Sequence, residues 1–256
     1  MNPFKPIAIA FTTYSVIPMP RFKWQEEDMR RAISALPLVG VVLGVIFCAW
    51  AYVAKALDLS TPLFAAVAVF LPVAITGGIH FDGFCDVSDA LASHQSRESM
   101  LEILKDSHIG AFAAIKCSVF FLLQFGLFCQ LGPEFAPALS VGFVLSRALS
   151  ALLSSLLPKA RRDGMLAAYA GEDRNLPAAK ISAGVSVFSA AALIVLYPIG
   201  GVVTVLLCAL WCIRYKRMTT KRFGGITGDT AGYFLQIAEL LIGTSLVLGS
   251  IIERYV

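Results

Sequence analysis

Residues 36–57 read LPLVGVVLGVIFCAWAYVAKAL, an apolar segment in which Lys55 is the only charged side chain. A helix of about 20 apolar residues is long enough to cross the roughly 30 Å hydrocarbon core of a bilayer. Similar segments recur along the chain. The predicted fold class is therefore an all-α integral membrane protein, a polytopic bundle of about seven transmembrane helices at residues 36–57, 62–79, 109–131, 135–157, 181–197, 199–215 and 231–252.

The composition agrees with a protein whose main solvent is lipid. Of 256 residues, 57% are hydrophobic and only 15% are charged, and the mean hydropathy is +0.75, which excludes an ordinary soluble domain. We assign residues 1–256 to a single membrane-embedded domain. The shorter apolar stretch at 7–17 ends at Pro18 and Pro20 and is predicted to form an N-terminal interfacial helix. The six cysteines show no spacing typical of a zinc site or a disulfide framework.

The basic residues set the predicted orientation. Seventeen of the 21 lysines and arginines fall in the segments on one side of the predicted bundle, and only Lys55 and Arg254 fall on the other. Because loops rich in Lys and Arg stay in the cytoplasm, we predict a cytoplasmic N-terminus, cytoplasmic active-site loops and an external C-terminus. The net charge of +4 is then a topology signal, and nucleic acid is not a predicted partner.

The first polar motif begins Gly77-Gly78-Ile79-His80-Phe81-Asp82-Gly83 and continues to Asp86 and Asp89. If this segment is helical, the i, i+4, i+7 spacing stacks the three aspartates on one face. A cation would relieve their repulsion, and oxygen ligands favour Mg²⁺ shared with substrate phosphates. The alternative is a solvated polar helix face. His80 could accept a proton from a hydroxyl nucleophile or bind a phosphate.

The second motif, Gly224-Gly225-Ile226-Thr227-Gly228-Asp229-Thr230, precedes the last predicted helix and repeats Gly-Gly-Ile with an aspartate at the same offset. Glycines let backbone N–H groups approach a phosphate, and the following helix N-terminus favours an anion. Asp229 is predicted to be a further metal ligand. A flexible turn before a transmembrane helix is the alternative.

Three further residues have two interpretations each. Arg147 lies within a predicted transmembrane helix, where a charge costs about 2.5 to 3.5 kcal/mol, so it needs a negative partner, either Glu239 or a bound phosphate. Ser107 either contacts a phosphate or caps the helix that begins near residue 109. Cys85, inside the acidic motif, has either a packing or a chemical role.

Clustered carboxylates with glycine turns, basic loops and a histidine indicate metal-assisted phosphoryl or nucleotidyl transfer. A CDP-alcohol phosphotransferase also uses clustered aspartates, but its Asp-Gly pair is followed by Ala-Arg, which is absent after Asp82-Gly83. A prenyltransferase would not need the glycine turn at Gly224. A cation or metabolite transporter is disfavoured because no aspartate lies at the centre of a predicted helix.

Both motifs, together with Leu101-Glu102-Ile103-Leu104-Lys105-Asp106-Ser107 and Ser146-Arg147, resemble the cobalamin synthase (adenosylcobinamide-GDP ribazoletransferase) family over nearly the whole chain. The resemblance implies a multi-pass enzyme of the bacterial inner membrane that uses Mg²⁺ in a late step of cobalamin synthesis. Adenosylcobinamide-GDP would react with α-ribazole or its 5′-phosphate and release GMP. The lipid bilayer, a second copy of the chain and other enzymes of nucleotide-loop assembly are the further partners that we predict.

The resemblance also suggests roles for individual residues. His80 and Asp82 would be catalytic, and Asp82, Asp86, Asp89 and Asp229 would bind the metal. Ala90 and Arg162 depart from the family pattern, and Arg162 leaves the neighbouring Asp163 without an assigned role. The predicted substrate or phosphate contacts are Arg30, Arg31, Gly77, Gly78, Lys105, Asp106, Ser107, Arg147, Arg161, Gly224, Gly225, Thr227, Thr230 and Glu239.

Overall fold

The computed structural model describes residues 4–20, 22–160 and 175–255. These residues form α-helices joined by short connections, with 3₁₀ turns at Ile33–Ala35 and Pro133–Phe135. The helices are α1 (Phe4–Tyr14), α2 (Glu26–Ala32), α3 (Leu36–Ala56), α4 (Thr61–Thr76), α5 (Ile79–Ala92), α6 (Arg97–Ile103), α7 (Ala111–Leu131), α8 (Ala136–Leu156), α9 (Leu176–Leu196), α10 (Pro198–Arg222) and α11 (Gly228–Glu253).

The predicted all-α polytopic fold is confirmed. Among the described residues, six helical segments are long and apolar enough to cross a membrane, namely Glu27–Ala56, Ala111–Leu131, Pro133–Leu156, Leu176–Leu196, Pro198–Arg222 and Gly228–Glu253. The predicted helix at 62–79 is different, because α4 ends at Thr76 and meets α5 at a bend of 95°. The predicted helix at 62–79 is therefore present as part of a bent pair, α4 and α5.

Two consecutive glycines produce this bend. Gly77 and Gly78 have φ angles of +63° and +79°, a left-handed conformation that side chains with a Cβ rarely adopt. The N–H of Gly78 donates to the carbonyl of Val73 at 3.0 Å and closes the last turn of α4. The chain then re-enters a helix in a new direction, so α5 lies outside the six membrane-crossing segments.

Short connections make neighbouring long helices run in opposite directions, which gathers the polar segments at one end of the bundle. The N–H of Ile226, before α11, donates to the carbonyl of Pro158, after α8, at 2.9 Å. Asn175, before α9, donates its backbone N–H to the carbonyl of Ser155 at 3.0 Å and its side-chain amide to the carbonyl of Arg30 at 2.6 Å. We call this end, where α4, α8 and α10 finish and α7, α9 and α11 begin, the motif end.

Small residues and aromatic rings hold the bundle together. A Cβ on Gly40 would lie 2.6 Å from the carbonyl oxygen of Phe143, so α3 and α8 pack with their backbones close together. The ring of Phe47 fills the space beside this contact, with its centroid 5.3 Å from that of Phe143. The predicted N-terminal helix is present as α1, which buries Ile9 and Ala10 against the bundle.

Candidate active site

The predicted acidic helix face exists on α5. Asp82 is exposed, whereas Asp86 and Asp89 are half-buried. Burial, followed by the neighbouring carboxylates of Asp82 and Asp229, raises the pKa of Asp86 to about 7. The aspartates of the two motifs therefore lie close enough to repel one another.

Two glycines bring the motifs together by allowing α5 and α11 to touch. A Cβ on Gly83 would lie 2.6 Å from the carbonyl oxygen of Asp229 and 2.8 Å from its Cα. A Cβ on Gly232 would lie 2.8 Å from the carbonyl oxygen of His80. Because these neighbours are backbone atoms, any larger residue would push the helices apart. We use the name acidic cluster for Asp82, Asp86 and Asp229.

Asp89 caps the N-terminus of α7. One carboxylate oxygen accepts the N–H of Gly110 at 2.6 Å, and the other accepts the N–H of Ala113 at 2.8 Å. Asp89 thereby satisfies donors that an uncapped helix would leave unpaired. The capping role considered for Ser107 is therefore wrong, because Ser107 is exposed and α7 begins at Ala111. The metal role of Asp89 stays a prediction, and its two backbone bonds give it less freedom to serve as a ligand.

The acidic cluster fits magnesium only as a shared site. Within the described ranges, no group of three or more His, Cys, Asp or Glu side chains is arranged to hold a metal ion. Magnesium usually takes one or two protein carboxylates and completes its shell with water and substrate phosphates. Asp82 and Asp86, with Asp229 across the helix contact, supply that kind of incomplete oxygen ligand set.

His80 faces the protein interior. Its side chain is buried, its ring stacks on that of Tyr14 with centroids 5.8 Å apart, and its Nε2 atom has no hydrogen-bond partner among the described residues. Burial, and secondarily the charge of Arg147, lowers the pKa of His80 to about 3. A base with so low a pKa holds a transferred proton poorly. The base role of His80 stays a prediction, whereas its packing role between α1 and α5 is visible.

Arg147 pairs with Glu239, which was one of its two predicted partners. Its Nη1 atom lies 2.8 Å from Oε1 of Glu239 and 3.0 Å from the carbonyl oxygen of Phe143. Arg147 is 0% exposed and Glu239 is 5% exposed. This buried ion pair is the structural alternative to a phosphate contact, and the predicted substrate contacts at Arg147 and Glu239 stay predictions.

The glycines and threonines of the motifs also have structural explanations. Gly77 and Gly78 form the bend described above. Thr227 and Thr230 form a capping box at the start of α11, in which each hydroxyl oxygen accepts the other residue's backbone N–H, at 3.1 and 2.9 Å. A Cβ on Gly225 would lie 2.6 Å from the backbone of residues 158–160, so that glycine permits a close backbone contact. The predicted phosphate contacts at these positions are therefore not needed to explain the residue types.

Arg97 is a residue of this region that sequence reasoning did not select. Gly224 has a φ angle of +74°, and a Cβ on it would overlap the guanidinium group of Arg97, which lies directly on the turn. Arg97 is exposed and forms no ion pair with any described carboxylate. The sequence offered only its charge, because the contact depends on how α6 packs against the turn before α11.

The remaining predicted contacts lie at the surface. Lys105 pairs with Glu102 at 2.7 Å, and Asp106 pairs with His108 at 2.6 Å. Ser107 is exposed between them. The charge of Asp106 contributes to the raised pKa of Asp86, so this loop lies near the acidic cluster and its substrate role stays a prediction.

Arg30 and Arg31 lie at a different place. They line a cavity of about 620 Å³ between α2 and the start of α9, which contains no member of the acidic cluster. Arg31 also pairs with Glu27 at 2.7 Å. The prediction for Arg161 lies outside the described residues.

Comparison with known proteins tests the resemblance to the cobalamin synthase family. A family model described as cobalamin-5-phosphate synthase matches residues 6–247. The chain belongs to the cobalamin-5-phosphate synthase family. It is 40% identical over 242 residues to an adenosylcobinamide-GDP ribazoletransferase of Lachnoclostridium phytofermentans, covering 94% of this chain and 92% of the relative. Proteins with the same name from Clostridium perfringens and Sinorhizobium medicae are 29% and 30% identical, covering 94% of this chain and 98% and 94% of the relatives.

Membership of the cobalamin-5-phosphate synthase family confirms the resemblance inferred from the motifs. It makes the chain an enzyme, a transferase of cobalamin synthesis. No solved structure matches the chain. The matched region includes both motifs, the helix contact at Gly83 and Arg97.

Proposed function

We propose that the chain transfers the adenosylcobinamide-phosphate group of adenosylcobinamide-GDP to α-ribazole or its 5′-phosphate and releases GMP. The observation that carries this proposal is the contact between Gly83 and Asp229, which unites the two motifs at one end of the bundle. The name shared by relatives that cover more than nine-tenths of the chain supports the substrate class.

In this reaction a ribose hydroxyl oxygen of the acceptor attacks the phosphorus attached to the cobinamide arm. The bond from that phosphorus to the oxygen of GMP breaks, the hydroxyl proton is lost, and GMP leaves. The donor diphosphate is anionic, so carboxylates near it need a counter-charge. The acidic cluster would hold magnesium through one or two of its carboxylates, and the metal would neutralise the diphosphate and stabilise the leaving oxygen.

We propose Arg97 as a further contact to the donor. Its exposed guanidinium rests on the turn that leads to Asp229 and can offer two parallel N–H donors to a phosphate. Its position on the turn would orient the GMP side of the diphosphate relative to the acidic cluster. We also propose that the motif end faces the cytoplasm, because the segments at that end carry most of the basic residues.

The test is GMP release by purified, detergent-solubilised protein supplied with adenosylcobinamide-GDP, α-ribazole and magnesium. We expect cobalamin formation to accompany GMP release, and Asp82→Asn to abolish both. The matched control is Asp58→Asn, the same chemical change in the turn between α3 and α4, at the other end of the bundle. Asp58 has a φ angle of +49°, which asparagine also tolerates.

Either of two results would contradict the proposal. Folded wild-type protein that releases no GMP would exclude this transfer, and CMP release from a CDP-alcohol would indicate the rival phosphotransferase. His80→Gln tests the base role separately. A loss of kcat at unchanged KM and unchanged stability would support that role, whereas loss of stability would fit packing against Tyr14.

A further inference from the structure

The last turns of α10 carry an unusual concentration of positive charge. The helix has 25 residues and a length of about 38 Å, which exceeds the hydrocarbon thickness of about 30 Å. It continues seven residues past the predicted end at 215. Five basic residues lie in the last nine positions of the helix: Arg214, Lys216, Arg217, Lys221 and Arg222.

One face of α10 changes from apolar to cationic along its length. Leu206 and Leu210 are 58% and 62% exposed, as expected for side chains that face lipid. Arg214, Arg217 and Lys221 follow Leu210 at i+4, i+7 and i+11, so they continue the same face. We call the helix face formed by Leu206, Leu210, Arg214, Arg217 and Lys221 the cationic stripe.

The basic side chains of the stripe are not paired with any carboxylate in the described part of the chain. Over the part of the chain that the structure describes, none of Arg214, Arg217 and Lys221 forms an ion pair. Two open surface clefts lie along the stripe between side chains of α10, and both are lined by Ile213, Arg217 and Lys221. Each cleft therefore joins an apolar wall to cationic groups.

We propose that the cationic stripe binds an anionic phospholipid, with the headgroup phosphate at Arg214, Arg217 and Lys221 and an acyl chain along Leu206 and Leu210. The charges are complementary to a phosphate, and the apolar part of the face continues from them without interruption. A soluble anion would use only the basic groups. The rule that segments rich in Lys and Arg stay in the cytoplasm explains why positive charge lies at this end of the bundle. That rule does not require the basic residues to share one helix face or to have clefts between their side chains.

The experiment measures lipid retention and does not depend on catalytic activity. The full-length protein in a zwitterionic detergent is titrated with phosphatidylglycerol or phosphatidylcholine, and bound lipid is counted by native mass spectrometry. Each basic residue near an anionic lipid strengthens binding about fivefold. We therefore expect the triple variant Arg214→Gln/Arg217→Gln/Lys221→Gln to bind phosphatidylglycerol about a hundredfold more weakly, with phosphatidylcholine bound weakly by both proteins.

The matched control removes three exposed charges elsewhere, as Lys23→Gln/Lys55→Gln/Lys180→Gln, and should bind phosphatidylglycerol like the wild type. If the triple stripe variant does not fold, the charge-retaining variant Arg214→Lys/Arg217→Lys and the single variant Lys221→Gln replace it. We expect normal retention in the first and a fivefold loss in the second. Undiminished retention by the triple variant, or by Lys221→Gln where it replaces the triple variant, would overturn the proposal. Displacement of the lipid by millimolar glycerol 3-phosphate would also overturn it, because the stripe would then be a site for soluble phosphate.

Discussion

Adding one methyl group at Gly83 would test whether the contact between α5 and α11 sets the chemistry. The new Cβ would lie 2.6 Å from a carbonyl oxygen and 2.8 Å from the Cα of Asp229, whereas ordinary contacts begin at 3.4 Å. Both neighbours are backbone atoms, so the helices must separate by roughly 1 Å, at a cost of about 1 to 3 kcal/mol. A displacement of that size at a reacting centre can lower the rate about a hundredfold. We expect Gly83→Ala to fold, unfold at a lower temperature and release GMP about a hundredfold more slowly.

The matched control for this prediction is Gly126→Ala in α7. A Cβ on Gly126 meets no atom within 4 Å, so the change should leave the rate unchanged and should favour the helix slightly. Both variants are measured by the kcat of GMP release and by thermal unfolding. Full activity in Gly83→Ala, together with a lowered unfolding temperature, would refute the reasoning, because the helices would then have separated without harm to the reaction.

Four further predictions follow from the site. Glu239→Gln should lower the free energy of unfolding by about 3 to 5 kcal/mol, because it leaves Arg147 buried and unpaired, and the double variant Arg147→Met/Glu239→Leu should recover most of that loss in the same denaturant titration. Asp89→Ala should cost about 0.5 to 2 kcal/mol through the lost cap of α7 and should speed amide hydrogen exchange in its first turn; unchanged exchange would contradict the capping role. Arg97→Gln should lower kcat/KM for adenosylcobinamide-GDP about tenfold or more without changing thermal stability, and an unaltered kcat/KM would remove Arg97 from the site. Because a metal needs the ionised form of Asp86, whose pKa is raised to about 7, the magnesium concentration for half-maximal activity should rise about fivefold from pH 7 to pH 6; a value independent of pH would exclude Asp86 as a ligand.

The long helices could be predicted from the sequence because lipid leaves the backbone few alternatives. Each membrane-crossing segment must satisfy its own hydrogen bonds, so an apolar run of sufficient length becomes a helix. The predicted helix at 62–79 extended too far, because α4 ends at Thr76 and the Gly-Gly pair that follows is compatible with two different structures. A Gly-Gly pair is suited both to a phosphate-binding turn and to a left-handed helix end, and the φ angles of Gly77 and Gly78 show that a helix ends here.

The site was partly predictable for a similar reason. Spacing along one helix predicted the shared face of Asp82, Asp86 and Asp89, because that relation is local. The hydrogen bonds that Asp89 accepts from the start of α7, and the placement of Arg97 on Gly224, join segments that are far apart in sequence. Neither relation has a local signature, since an aspartate on a polar face looks the same whether it binds a metal or caps another helix.

The bend at Gly77 gives the acidic cluster a physical rationale. Had α4 continued straight through residues 79–92, a rise of about 1.5 Å per residue would have carried Asp82, Asp86 and Asp89 past the edge of a hydrocarbon core of about 30 Å, without turning them toward the start of α11. The 95° turn instead directs α5 across the start of α11, and Gly83 lets the two helices touch. Carboxylates that repel one another are thus held together at the edge of the bundle, where water, a cation and an anionic substrate can reach them. Under the proposed function, the glycines of the first motif would serve the reaction through the path of the backbone, and this is why the substitution of Gly83, which has no side chain of its own, is expected to be as damaging as the loss of a charged group.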